Sequence, residues 1–133
     1  ELATNASLIS KKYFGKTFVK QKAKYQYNLY SVEMWDQLFT KYGFNSSECS
    51  KKDFPTSVLG ASKASMSAFI RGLMDTDGFF DQCGAIGFCA KSKNIVHSMQ
   101  YILTKFGIIS RVTKQLNKKY SQYYYHLKLH GIN

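Results

Sequence analysis

The feature that most constrains this chain is a helical stripe that runs into two carboxylates. Met66, Phe69, Ile70, Leu73 and Met74 recur at the spacing of one helix face, which predicts a helix from about Lys63 to Asp77 that Gly78 ends. Inside it, Gly72 costs about 1 kcal/mol relative to Ala. A missing Cβ at Gly72 lets a second helix approach closely, and that contact offsets the cost. Asp75 and Asp77 stand at the C-terminal end, where the helix dipole disfavours anions. A hard cation repays a carboxylate held there; an exposed Asp-Gly turn is the plainer alternative.

The rest of the pattern alternates between two periods. Lys16 to Tyr30 reads as a hairpin, with Lys20–Lys24 turning and Tyr25, Tyr27 and Leu29 alternating with polar neighbours. Ser31 caps a helix carrying Val32, Trp35, Leu38 and Phe39, which Gly43 stops. Residues 45–57 are polar, contain the single Pro and read as a connector. After Gly78 come two short extended pieces, near 79–82 and 85–91, around Gly84. Ser92 then caps a helix in which Ile95, Val96, Met99, Ile102, Leu103 and Phe106 repeat until Gly107. A last hairpin turns at Asn117-Lys118-Lys119. This order predicts an α+β domain with helices on one face of an antiparallel sheet.

The outer sheet face is the second informative feature. In the last hairpin Val112 and Leu116 alternate with Arg111, Thr113, Gln115 and Asn117, while Tyr123, Tyr125, Leu127 and Leu129 alternate with Gln122, Tyr124, His126 and Lys128. One face is expected to bury. The other presents amides, hydroxyls and cations, the groups that read base edges and phosphates in a major groove. An ordinary half-exposed sheet alternates in the same way. Charge favours nucleic acid: the net charge is +11, and residues 91–133 hold eight bases and no acid. Lys91, Lys118 and Lys119 adjoin the polar face as further candidate DNA contacts.

Composition removes several classes. With 44% hydrophobic residues, one Pro and nine Gly, the chain is neither collagen-like nor wholly disordered. No apolar run is long enough for a membrane span, and the N-terminus carries no secretory leader, so an intracellular setting is expected. Cys49, Cys83 and Cys89 lack C-x-x-C spacing and read as buried reduced thiols. Asp-Thr-Asp-Gly lacks the closing Glu of an EF-hand loop. His126 and His130 share a strand face without a Cys or carboxylate foreseen beside them, which argues against zinc.

Phe69 to Gly78, FIRGLMDTDG, resembles the LAGLIDADG motif of homing endonucleases in its intein-encoded form. Lys52-Asp53-Phe54-Pro55, with Val58-Leu59 and Phe69 after it, is similar to the Lys-x-Ile-Pro connector before the second motif of those enzymes. Ile86-Gly87-Phe88, Ser92, the Gln100–Gly107 helix end and Tyr123 to Gly131 follow the same layout, so the resemblance spans roughly residues 16–131. It implies an αββαββ fold for residues 61–133, with residues 1–60 as part of a first repeat.

The resemblance also implies chemistry: Mg²⁺-dependent hydrolysis of double-stranded DNA. Asp77 matches the metal-binding catalytic aspartate, and Gly78 marks where the helix ends beside DNA and the metal. Lys52 matches a basic residue near the scissile phosphate, with Lys51 as the alternative register. Gly72, Leu73 and Asp75 fall at the helix interface. One motif is present where intein-type enzymes carry two, which implies a homodimer or a companion repeat. The alternative is a non-catalytic DNA- or RNA-binding module of the same fold. Arg71 departs from the motif's apolar pattern.

Overall fold

The computed structural model describes residues 2–22, 27–44, 48–82 and 84–129, and it divides into two compact units, residues 1–41 and 42–133. The first unit opens with helix α1 (Leu2–Phe14), which the sequence pattern did not announce. Thr4, Asn5, Ser7 and Ser10 are weak helix formers, and no acid stands in the first turn. The hairpin that follows is shorter than expected: β1 (Val19–Lys20) pairs antiparallel with β2 (Tyr27–Asn28), and the expected turn and Tyr25 lie largely outside the described residues. Ser31 caps α2 (Val32–Asp36) as anticipated, its hydroxyl accepting from the Met34 N–H at 3.1 Å. The chain then widens into a π turn over Gln37–Lys41. The apolar stripe of this helix stays on the surface, with Trp35 stacked on Phe39 at 3.9 Å.

In the second unit the connector is less polar in its role than in its composition. Phe54 is 5% exposed and Pro55 is fully buried, followed by the short helix α3 (Thr56–Leu59). Helix α4 (Lys63–Asp77) has the limits its periodicity predicts, and Ser62 caps it by accepting from the Ser65 N–H at 3.2 Å. Strands β3 (Gly78–Phe80) and β4 (Ile86–Ala90) follow, with Gly84 at φ +77° between them. Helix α5 (Lys93–Lys105) begins at the Ser92 cap and stops at Gly107, φ +75°. Strands β5 (Ser110–Asn117) and β6 (Gln122–Leu129) complete one antiparallel sheet of order β3-β4-β6-β5. The αββαββ order therefore holds.

The core lies between this sheet and α4 and α5. Val96, Met99, Ile102 and Leu103 of α5 meet Phe88, Leu127, Met66 and Phe54, with Val112, Tyr125 and Leu73 packed around them. Phe54 sets its ring edge against Phe69 at 5.1 Å. The inner face is not buried throughout. Leu116 and Tyr123, directly opposite each other near the hairpin turn, are 50% and 52% exposed, because the strands outrun the helices there.

Candidate functional site

Helix α4 delivers Asp77 to the point where helix becomes strand. Gly78 already has extended backbone, φ −74° and ψ 154°, and a Cβ there would sit 2.3 Å from the Met74 carbonyl oxygen. The chain thus turns sharply out of the helix, and only glycine fits the turn. Asp77 is exposed, and its carboxylate makes no hydrogen bond or ion pair among the described residues.

A cleft of about 430 Å³ gathers Asp77 with Lys52, Lys91, Gln122 and Tyr124, over a floor that includes Leu73 and Phe88. Sequence positions from the connector, the motif helix, the β4–α5 junction and the last strand therefore converge. Lys52 and not Lys51 lines this cleft; Lys51 is paired with Glu48 at 3.5 Å on the surface. The Lys52 carbonyl accepts a hydrogen bond from the buried Ser92 hydroxyl.

The sheet register puts the predicted reading groups on one face. Arg111 lies opposite Lys128, Thr113 opposite His126, Gln115 opposite Tyr124 and Asn117 opposite Gln122. Cys89 of β4 faces His126 on that same side. Lys118 and Lys119 stand in the connecting turn rather than on the face. Lys128 is not a free cation: its ammonium pairs with Asp81 at 2.8 Å, so Arg111 is the unpaired charge of that row among the described residues.

Two pairings on this face were missed, that of Lys128 with Asp81 and that of His126 with Cys89. Cys89 Sγ lies 3.6 Å from His126 Nε2, so His126 does have a thiol neighbour; His130 falls outside the described residues. Strand alternation around buried Phe88 places Cys89 outward, a signal readable only once β4 is known to pair with β6. Burial, and then the Asp77 carboxylate, hold the Cys89 thiol above its ordinary range. Burial, and then Lys128, hold the His126 imidazole below its ordinary 6.5. Both are therefore neutral at pH 7. The expectation of buried thiols fails elsewhere too, since Cys49 is exposed, at the rim of the Asp77 cleft; Cys83 is outside the described residues.

Of the expected helix-interface residues, Gly72 and Asp75 lie on the exposed side of α4, with nothing within 4 Å of a Cβ built on Gly72. Leu73, one residue round the helix, packs against the core instead. Arg71 is on the exposed side.

Among the described residues, no group of three or more His, Cys, Asp or Glu could hold a metal ion. One exposed carboxylate still fits Mg²⁺, which keeps several waters and binds through one or two carboxylates plus substrate phosphates. No helix among the described residues is long and apolar enough to cross a membrane.

Residues 64–133 match the family model described as a LAGLIDADG-like domain. Over 91 residues the chain is 26% identical to the replication factor C small subunit of Methanocaldococcus jannaschii, an alignment that covers 68% of this chain and 5% of that protein.

Proposed function

The chain belongs to the LAGLIDADG family of homing-endonuclease-type domains, and from that premise we propose that it is a site-specific endonuclease domain that hydrolyses phosphodiester bonds of duplex DNA with Mg²⁺. The observation that carries the reading is the cleft in which Asp77 meets Lys52 and Lys91 beside the polar sheet face. Asp77 and the Gly78 turn would hold the ion. A bound Mg²⁺ supplies Lewis acidity and a more acidic water. Lys52 and Lys91 stabilise the charge that gathers on the phosphate. Arg111, Thr113, Gln115, Tyr124 and His126 read base edges, while Lys118 and Lys119 reach the backbone.

A second carboxylate comes from a companion repeat or a second copy, seated on the open Gly72 side of α4. Residues 1–60 are then the end of a first repeat. A match confined to 5% of a much longer protein of different description supports an endonuclease segment carried inside a host, as in inteins. The setting is intracellular.

The test is selection from a randomised duplex library with Mg²⁺, followed by cleavage of the recovered site. Asp77→Asn should abolish cutting and leave affinity within about twofold, the signature of a group that acts only on the reacting phosphate. A chain that binds the recovered duplex but never cuts it, alone or as a dimer, is instead a binding module of the same fold.

A further inference from the structure

Ser92 does two things with one hydroxyl. As the cap of α5 it accepts from the Ile95 N–H at 3.4 Å. Its proton goes to the Lys52 carbonyl, 40 residues away in the chain. Capping alone does not require this residue, because Asp or Asn caps equally well. A carboxylate only accepts, however, while a hydroxyl has a proton to give and lone pairs to receive. Ser92 is 1% exposed, so neither role is shared with solvent.

The next residue of the connector is tied to the same helix start. Asn94 donates its amide to Asp53 Oδ2 at 3.2 Å, and Asp53 Oδ1 accepts from the Phe54 N–H at 2.8 Å. Phe54 and Pro55 then enter the core. Four successive residues, Lys52 to Pro55, are thus anchored through backbone, side chain or burial, while the Lys52 side chain itself is left exposed and lines the cleft with Asp77. A lysine is a flexible point charge, and its usefulness at a reacting phosphate depends on where its backbone is held.

We propose that Ser92 is a positioning residue: its hydroxyl, seconded by Asn94, clamps the connector to the start of α5 and thereby sets Lys52 across the cleft from Asp77. The proposal rests on the endonuclease reading for its catalytic consequence but not for its geometry. The clamp also couples two cations, because Lys91 immediately precedes Ser92 and lines the same cleft.

Two readouts on the full chain test it. The first is geometric and needs no DNA. Lys52→Cys, with Cys49→Ser and Cys83→Ser, is cross-linked to the native Cys89 with a short bismaleimide, since residues 52 and 89 line one cleft. The second is the single-turnover cleavage rate on the selected duplex, measured beside its dissociation constant. Ser92→Ala should lower both cross-link yield and rate by about tenfold or more, with affinity within about twofold, as expected when a group is misplaced rather than removed. Ser92→Thr should restore both. Ser92→Asp, which caps but cannot donate, should behave like Ser92→Ala.

A wild-type cross-link yield in Ser92→Ala overturns the proposal. So does full recovery in Ser92→Asp, which would make the cap alone responsible. If Ser92→Ala does not fold, Asn94→Ala at its exposed position decides: a several-fold drop in yield supports the clamp, and an unchanged yield overturns it. If the wild-type chain cuts no duplex, the endonuclease reading fails while the cross-link ratios still judge the clamp.

Discussion

Two stretches of this chain use the same local grammar with opposite results. Helices α1 and α5 are each 13 residues long, each is followed by a glycine with positive φ just after a Phe (Phe14-Gly15 at +64°, Phe106-Gly107 at +75°), and each leads into a hairpin. Yet α5 buries Val96, Met99, Ile102 and Leu103, whereas Leu8, Ile9 and Tyr13 of α1 are all more than half exposed. The strands differ likewise, eight residues each in β5 and β6 against two each in β1 and β2. Among the α1 residues whose burial is described, the buried one is Ser10, whose hydroxyl has no partner among the described residues. A helix and a hairpin do not make a core between them. The later pair is buried because α4, the Phe54-Pro55 connector and Phe88 of β4 cover it.

The largest test of that contrast is a pair of truncations. Ile102→Ala should cost about 2–5 kcal/mol, since the residue is wholly buried and its surroundings relax only partly around the cavity it leaves. Ile9→Ala, at 58% exposure, should stay within about 0.5 kcal/mol. Urea unfolding of both variants is the measurement, and equal losses would dissolve the distinction. Hydrogen exchange sharpens it next: amides of Tyr125 to Lys128 in β6, which has a paired strand on each side, should exchange only with opening of the core, and those of β1 and β2 by local fraying.

Function should divide in the same direction. Lys119→Ala should shallow the log–log salt dependence of DNA binding by about 0.9, the value of one phosphate contact released. Arg111→Ala, at a base-reading position, should instead lose affinity in a sequence-dependent way with the slope nearly unchanged. Lys128→Ala should change the slope less, because Asp81 already partners that ammonium.

The smallest effect is on pH. The folded pKa of His126 lies below its ordinary 6.5. Unfolding therefore takes up a proton as the pH falls from about 6.5, and stability declines there toward the depressed folded value. The Cys89 thiol, raised above 9.0, gives the opposite limb: its contribution is intact below that pH and lost as the pH rises through the folded value. His126→Gln should flatten the acid limb of a stability–pH profile and Cys89→Ser the alkaline one.

Much of the second unit was legible because its signals are local. The α4 limits, the Ser92 cap and the two-residue alternation of the last hairpin, like the Ser31 cap in the first unit, depend on neighbours within one helical turn or one strand. What was not legible depends on chain folded from elsewhere. Phe54-Pro55 reads as polar connector until a core is there to receive it. Cys89 beside His126, and Asp81 beside Lys128, are cross-strand or turn-to-strand meetings that need the register first. Helix α1 does carry a helical spacing, Leu2, Ala6, Ile9 and Tyr13, and a stop at Gly15, but its first turn has no acid and its weak helix formers masked the pattern. For the site, motif and resemblance pointed to Asp77 and Lys52, but only the register and the cleft show which groups adjoin them.

Gly87 sets a boundary on how far the polar sheet face could be re-engineered. Its Cβ, if it had one, would lie 2.4 Å from the Phe79 ring and 2.8 Å from the Leu127 carbonyl oxygen. The ring could swing aside; the neighbouring strand's backbone could not. Phe79 fills that gap two residues after Asp77 and sets its ring edge toward His126 at 6.1 Å. Under the proposed endonuclease reading, a library built to retarget the chain would vary Arg111, Thr113, Gln115 and Tyr124, but position 87 is a blank letter in its alphabet, and any side chain written there would displace the aromatic ring that joins the motif turn to the polar sheet face.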